Sequence, residues 1–171
     1  MIAESFAEHN GMRNTLIFLQ NYGLSAGLSM KVYKAYGDTT ESVLRANPYQ
    51  LVRDVRGVGF RTADRIALSM GVAAADSNRL RAGITYTLWD TAGGAGHVYL
   101  PKEKLVEAAS GILQAPEEEV LNELAALVLT GELRVEERSD CTAIYHHSML
   151  SAEKEVALQL TILQRAVLKK Q

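Results

Sequence analysis

The chain lacks most of what marks a specialised protein class. One cysteine, Cys141, in 171 residues rules out an internal disulfide framework and cannot hold a metal by itself. A reducing, cytoplasmic location is therefore expected. Three prolines beside 13 glycines exclude a collagen-like or proline-rich disordered chain. Aromatic residues make up 6% of the sequence with one Trp, which argues against an all-β sandwich. Every apolar run is interrupted by charge well before the roughly 18 residues a membrane span requires, and no signal-peptide pattern opens the chain. Charge of one sign is missing too. The 18 Lys and Arg against 20 Asp and Glu give a net −2, which advertises neither nucleic acid nor an anionic membrane. What remains is 47% hydrophobic and 22% charged, the composition of a soluble, mostly helical intracellular protein.

Helical periodicity dominates the first half. Ile2, Phe6, Met12, Leu16, Ile17, Phe18 and Leu19 suggest an opening helix or helix pair, broken near Asn10-Gly11. Short helices follow, punctuated by Tyr22-Gly23, Gly37-Asp38, Asn47-Pro48, Gly57-Val58-Gly59 and Gly71. Asp38 and Asn47 are expected N-caps, with Pro48 at the first helical position.

An internal repeat organises these helices. Shifting the segment around Gly57 back by 34 residues lays Leu51 on Ile17, Val52 on Phe18, Gly57 on Gly23 and Val58 on Leu24. The same shift lays Ala63 on Ser29, Ile66 on Val32, Met70 on Tyr36 and Gly71 on Gly37. The implied unit is helix, hairpin, helix, then a terminating glycine.

In the second copy, Val52, Val55, Gly57, Val58, Gly59, Ala63, Ile66 and Ala67 fill every restricted position of a helix-hairpin-helix pattern. Two glycines permit positive φ and let a ligand approach the bare backbone. Val58 plugs the hairpin into the core, and Ala63 is small where two helices cross closely. The hairpin amides and the following helix N-terminus then form an anion nest. Arg56 and Arg61 flank it, with Arg65 one turn beyond Arg61 on the same face. The expected DNA-binding set is Arg56, Gly57, Val58, Gly59, Arg61, Thr62 and Arg65, with Gly23, Ser25 and Lys31 as a subordinate set. In the first copy Ser25 stands where the second glycine would be, Gly27 replaces Arg61, and Lys31 matches Arg65. Phosphate contacts carry no base information, so sequence-nonspecific, salt-sensitive binding is expected.

From about Ser77 the pattern changes. A helix over 78–92 with Leu80, Ile84, Leu88 and Trp89 as its core face precedes a glycine-rich turn, Gly93-Gly94-Ala95-Gly96. Val98-Tyr99-Leu100 reads as a strand, and Pro101 starts a helix carrying Leu105, Ala109 and Ile112. Pro116 starts another, carrying Val120, Leu121, Leu124 and Val128 and stopping at Gly131. Leu133-Arg134-Val135 and Ala143-Ile144-Tyr145 form a hairpin. This is the element order of a winged helix, and a last amphipathic helix follows over 151–168. The fold expected is mainly α: a tandem helix-hairpin-helix bundle over 1–76, a winged-helix-like α+β domain with a small β-hairpin over 77–150, and a terminal helix over 151–171.

The winged-helix segment is poorly suited to DNA. No Lys or Arg occurs in 105–133, while Glu117, Glu118, Glu119 and Glu123 crowd the helix that would enter a groove. Acid in a first turn suits the helix dipole but repels phosphate, so a scaffold or protein contact through 105–133 is the expectation here. Lys102 and Lys104 are its nearest basic residues. Gly93-Gly94-Ala95-Gly96-His97 lacks the Gly-Lys-Ser/Thr of a nucleotide-binding loop. His146-His147 near Cys141 lacks metal-ligand spacing, and no paired carboxylates or nucleophilic triad stand out. Neither a metal nor a catalytic residue is expected.

Several runs are specific beyond these patterns. They are Phe18-Leu19-Gln20 to Gly23-Leu24-Ser25, Lys31-Val32-Tyr33 with Tyr36-Gly37, Asn47-Pro48-Tyr49, and Gly57-Val58-Gly59-Phe60 with Thr62-Ala63-Asp64. Arg81-Ala82-Gly83 with Tyr86 and Gly96-His97-Val98-Tyr99-Leu100-Pro101 complete them. Over nearly the whole chain the sequence resembles the N-terminal region of bacterial RecD-like ATP-dependent DNA helicases, also called exodeoxyribonuclease V alpha chain. The resemblance implies a bacterial cytoplasmic protein of DNA repair and recombination, in which this region precedes superfamily I motor domains that unwind DNA 5′ to 3′ with ATP and Mg²⁺. It implies single-stranded or forked DNA as partner and no membrane. On this resemblance Ile2 to Phe6 reads as the tail of a preceding unit. The Walker lysine, magnesium-binding acid and arginine finger would lie beyond Gln171, so the fragment is expected to lack ATPase activity and any cofactor of its own. The competing reading is a structural or protein-interaction module with little DNA contact; a free-standing nuclease finds no acid or histidine cluster to support it.

Overall fold

The computed structural model describes residues 2–94 and 99–148, with side chains over 11–91 and 99–148. The expected helix over 151–168, and Ala95, Gly96, His97 and Val98, lie outside the described residues. Two compact units divide the chain, Met1–Ala82 and Gly83–Gln171. No described helix is long and apolar enough to cross a membrane.

The N-terminal unit holds α1 (Ile2–Asn21), α2 (Ala26–Tyr36), a 3-10 turn (Gly37–Thr39), α3 (Thr40–Ala46), α4 (Gln50–Asp54) and α5 (Phe60–Ser69). Against expectation α1 runs through Asn10-Gly11 unbroken, because a glycine inside a helix costs only about 1 kcal/mol and does not stop it. Its real stop is a Schellman cap. The Leu24 amide donates to Leu19 O and the Gly23 amide to Gln20 O, with Gly23 at φ 85°. Leu19 and Leu24, both buried, make the apolar contact that accompanies such a cap. Asp38 does not cap α3. It sits inside the 3-10 turn, where its Oδ1 accepts from Tyr33 Oη at 3.3 Å. Asn47 and Pro48 do not open α4 either: the helix starts at Gln50 with Tyr49 as its N-cap, and Asn47 Oδ1 accepts from the Tyr49 amide at 3.0 Å in the turn before it.

The repeat holds from the hairpins onward. Gly23 and Gly57 share positive φ, as do Gly37 and Gly71. Leu24 and Val58, Ser29 and Ala63, and Val32 and Ile66 are buried in matched pairs. The helices before the hairpins do not match. Ile17 is 46% exposed where Leu51 is fully buried, because α4 is five residues long and reaches its hairpin through Val55 rather than through a helical turn.

A buried ion pair ties the end of this unit together. Arg79, 5% exposed, donates from Nε to Asp64 Oδ1 at 2.8 Å, from Nη2 to Asp64 Oδ2 at 3.1 Å and from Nη1 to Ala74 O at 2.9 Å. Tyr49 Oη donates to the same Asp64 Oδ1 at 2.7 Å, and its ring stacks on Phe60 with centroids 6.0 Å apart. Burial, and then the Asp64 hydrogen bond, push the Tyr49 phenol well above its ordinary range.

The helix α6 (Ser77–Gly94) begins at Asp76, whose Oδ1 accepts from the Arg79 amide. Gly93 and Gly94 belong to this helix rather than to a turn. Beyond it the C-terminal unit holds β1 (Tyr99–Pro101), α7 (Lys102–Leu113), α8 (Glu117–Leu129), β2 (Leu133–Glu137) and β3 (Thr142–His146). The antiparallel sheet runs in the order β1-β3-β2, with Leu100 opposite Ile144 and Val135 opposite Ile144 on its other side. The elements follow one another in the order expected from the sequence, and the expected hairpin is joined by β1 in a three-stranded sheet. Pro101 and Pro116 sit at the N-caps, one residue earlier than expected.

Leu80, Ile84, Leu88, Leu105, Ala109, Val120 and Leu124 are buried as expected. Trp89, Ile112 and Leu121 are not: they are 43%, 40% and 37% exposed, while Leu113 and Leu127 take the core positions. Gly83 is explained by its neighbour. A Cβ there would lie 2.4 Å from Leu113 Cδ2, so the backbone of α6 must be bare for Leu113 to seat.

Candidate nucleic-acid interface

The second hairpin is built by Val55 and Val58, both buried, which turn its backbone outward between α4 and α5. Gly57 adopts φ 103°, which L side chains rarely reach. Gly59 does not share this need. It is the N-cap of α5 at φ −94° and ψ 171°, and a Cβ there would meet nothing within 4 Å. Its lack of a side chain therefore leaves bare backbone open to the outside. Ser25, the matching residue, is the N-cap of α2 at φ −65° and ψ 155°, with its Oγ accepting from the Leu28 amide. Serine there keeps the same backbone and gains a cap.

The amides divide clearly. Val58 donates internally to Val55 O and Gly23 to Gln20 O, so these two expected contributors hold the hairpins rather than offer donors. The amides of Gly57, Gly59 and Arg61 in the second hairpin, and of Ser25, Ala26 and Gly27 in the first, find no partner among the described residues. Those after each N-cap belong to the first turn of a helix, where an orphan N–H and the helix dipole both favour an anion. Arg56 and Arg61 are exposed and form no ion pair among the described residues. Thr62 is half-buried beside them.

Arg65 and Lys31 are placed differently from the sequence expectation. Arg65 Nη2 donates to Gly23 O at 3.0 Å, across to the first hairpin. Lys31 Nζ donates to Arg56 O at 3.3 Å, across to the second. Tyr36 Oη adds a bond to Asp54 Oδ2 at 2.8 Å. Burial, then the carboxylate, pushes that phenol up to about 12, while the bonds from Tyr36 and Arg53 hold the Asp54 carboxyl below its usual range. The two repeats are thus clasped hairpin to hairpin. Sequence spacing alone missed the crossing and the Asp64–Arg79 pair. The second had a signal in the Thr62-Ala63-Asp64 run, whose acid is the only one on α5.

The described residues of the C-terminal unit carry the acidic face expected from the sequence. Glu117 and Glu118 are exposed on the first turn of α8. Arg138 is spent over the Tyr99 ring, 4.3 Å from its centroid, and on Tyr145 Oη and Glu136. No group of three or more metal-ligating side chains exists among the described residues.

Two clasped helix-hairpin-helix repeats with outward amides define a tandem helix-hairpin-helix domain. The model of the ATP-dependent RecD2 DNA helicase HHH domain matches residues 8–99, more than half of the chain, and the chain belongs to that family. The ATP-dependent RecD2 DNA helicase of Deinococcus radiodurans is 30% identical over 103 residues, 60% of this chain and 14% of that protein's length.

Proposed function

We propose that the N-terminal unit grips the sugar-phosphate backbone of DNA without reading its sequence, as an accessory region of an ATP-dependent helicase. The observation that carries this is the set of unpartnered amides at Gly57, Gly59 and Arg61 beside the unpaired Arg56 and Arg61 side chains. Backbone amides at a helix N-terminus together with guanidinium groups suit a phosphodiester. The first hairpin supplies a second set at Ser25, Ala26 and Gly27 with no arginine of its own repeat beside it, so its grip is the weaker of the two. Single-stranded or forked DNA is the expected substrate. No Gly-Lys-Ser/Thr occurs in the 171 residues, so none of them is assigned to ATP or Mg²⁺.

Fluorescence anisotropy with labelled single-stranded, duplex and forked DNA, each in two unrelated sequences, tests this reading. Affinity should be indifferent to sequence, and its logarithm should fall linearly with log salt at about −0.7 to −0.9 per phosphate. No binding at low salt, or binding that ignores salt, would reject it.

A second reading concerns the C-terminal unit, where a groove of about 440 Å³ is lined by Leu121, Ala125, Val128, Leu129 and Val135. Leu129 is 88% exposed, and the first turn of the same helix carries three glutamates. We propose that this face takes a protein segment with an apolar stripe flanked by Lys or Arg. Binding of a leucine-faced, lysine-flanked helical peptide that is lost in Leu129→Glu would support it, and no binding would discard it.

A further inference from the structure

Lys31 and Arg65 are equivalent positions of the repeat, 34 residues apart, and each reaches across to the hairpin of the other copy. Lys31 Nζ lies 3.7 Å from where a Cβ on Gly57 would be, as well as on Arg56 O. The Arg65 guanidinium carbon lies 3.6 Å from the same point on Gly23. Neither side chain pairs with a carboxylate among the described residues, and both are exposed. A neutral carbonyl orients each cation without cancelling its charge. Each also has N–H groups to spare, since an ammonium carries three and a guanidinium five.

We propose that the two phosphate sites are cross-completed. Lys31 of the first repeat supplies the cation for the Gly57-Val58-Gly59 hairpin, and Arg65 of the second supplies it for the Gly23-Leu24-Ser25 hairpin. This rests on the backbone-gripping function proposed above and adds which cation serves which hairpin. The crossing links the sites: losing one repeat's cation weakens the hairpin of the other. It also accounts for the first hairpin lacking an arginine at Gly27, since Arg65 brings a guanidinium to it from α5.

The test is a double-mutant cycle in the full chain, read by DNA anisotropy across a salt series with circular dichroism for the fold. Lys31→Met and Arg65→Met each keep an unbranched apolar side chain and remove the charge. Each should weaken binding several-fold and lower the salt slope by about 1, while Lys31→Arg and Arg65→Lys should restore most of both. Gly59→Val obstructs the second hairpin alone. In that background Lys31→Met should have little further effect, whereas Arg65→Met should keep its full effect. The reverse pattern would assign each cation to its own repeat and overturn the crossing. Weakened binding with an unchanged salt slope would make both residues purely structural and overturn it as well. Absence of wild-type binding to any DNA would instead remove the underlying function, and the inference with it.

Discussion

Replacing Asp64 by alanine isolates the energetics of the buried pair that closes the N-terminal unit. Arg79 is 5% exposed and donates twice to Asp64, from Nε and Nη2. Removing the acid takes from a buried guanidinium the carboxylate that pairs with it, and takes the acceptor from Tyr49 Oη. Breaking one side of a buried pair costs about 3–5 kcal/mol, a large part of the about 5–15 kcal/mol that holds a domain folded. With a urea dependence of about 1–3 kcal/mol/M, the unfolding midpoint followed by far-ultraviolet circular dichroism should fall by about 2 M at the middle of both ranges, and by at least about 1 M. The cause is separable from simple loss of contacts. If the penalty is the stranded charge, Asp64→Ala with Arg79→Met should be more stable than Asp64→Ala alone by about 2 kcal/mol or more, because an apolar side chain carries no desolvation penalty. A double variant no better than the single one would refute the reasoning.

Three further outcomes follow from single residues. The Ser29 hydroxyl is fully buried without a hydrogen-bond partner, and Ala63 fills the same place in the second repeat, so Ser29→Ala should raise stability by about 1 kcal/mol in urea denaturation. Gly83→Val should lower the melting temperature of the chain, since even the first added carbon overlaps buried Leu113 and overpacking costs about 1–3 kcal/mol. Burial, and then the neighbouring His147, hold His146 below its ordinary 6.5, and its ring lies 5.1 Å from that of Trp89. The folded state therefore binds fewer protons than the unfolded one just below that value. The contribution is complete above pH 6.5 and declines as pH falls through the depressed value. Trp89 emission, quenched by an imidazolium, should titrate with a midpoint below 6.5, and a midpoint above it would contradict the packing.

Local chemistry made much of this structure legible. Gly23 and Gly57 announce the hairpins because only a positive φ turns the chain there, and Leu24 and Val58 announce which way the turns are plugged. The strands around Val135 and Ile144 follow from their alternation and the turn between them. Readings that depended on which helix face meets a neighbour were less secure. Leu121 and Leu124 are both apolar on α8, and only the packing of α7 and the sheet decides that Leu124 is buried while Leu121 is exposed. Arg65 shows the same limit at the site. Spacing puts it one turn from Arg61, yet its guanidinium reaches the other hairpin because the two repeats clasp. Gly59 was expected to need positive φ; its extended backbone shows that it is the open space, rather than the turn, that makes its missing side chain matter.

Gly59→Val tests the central claim most directly, because that backbone accepts a side chain without strain and nothing in the chain would touch its Cβ. Loss of a glycine N-cap should cost the fold at most about 1 kcal/mol, so circular dichroism should show the native helix content. If the hairpin amides hold phosphate, the same variant should lose DNA affinity by tenfold or more at low salt. A folded Gly59→Val chain that binds DNA as tightly as the wild type would contradict the account.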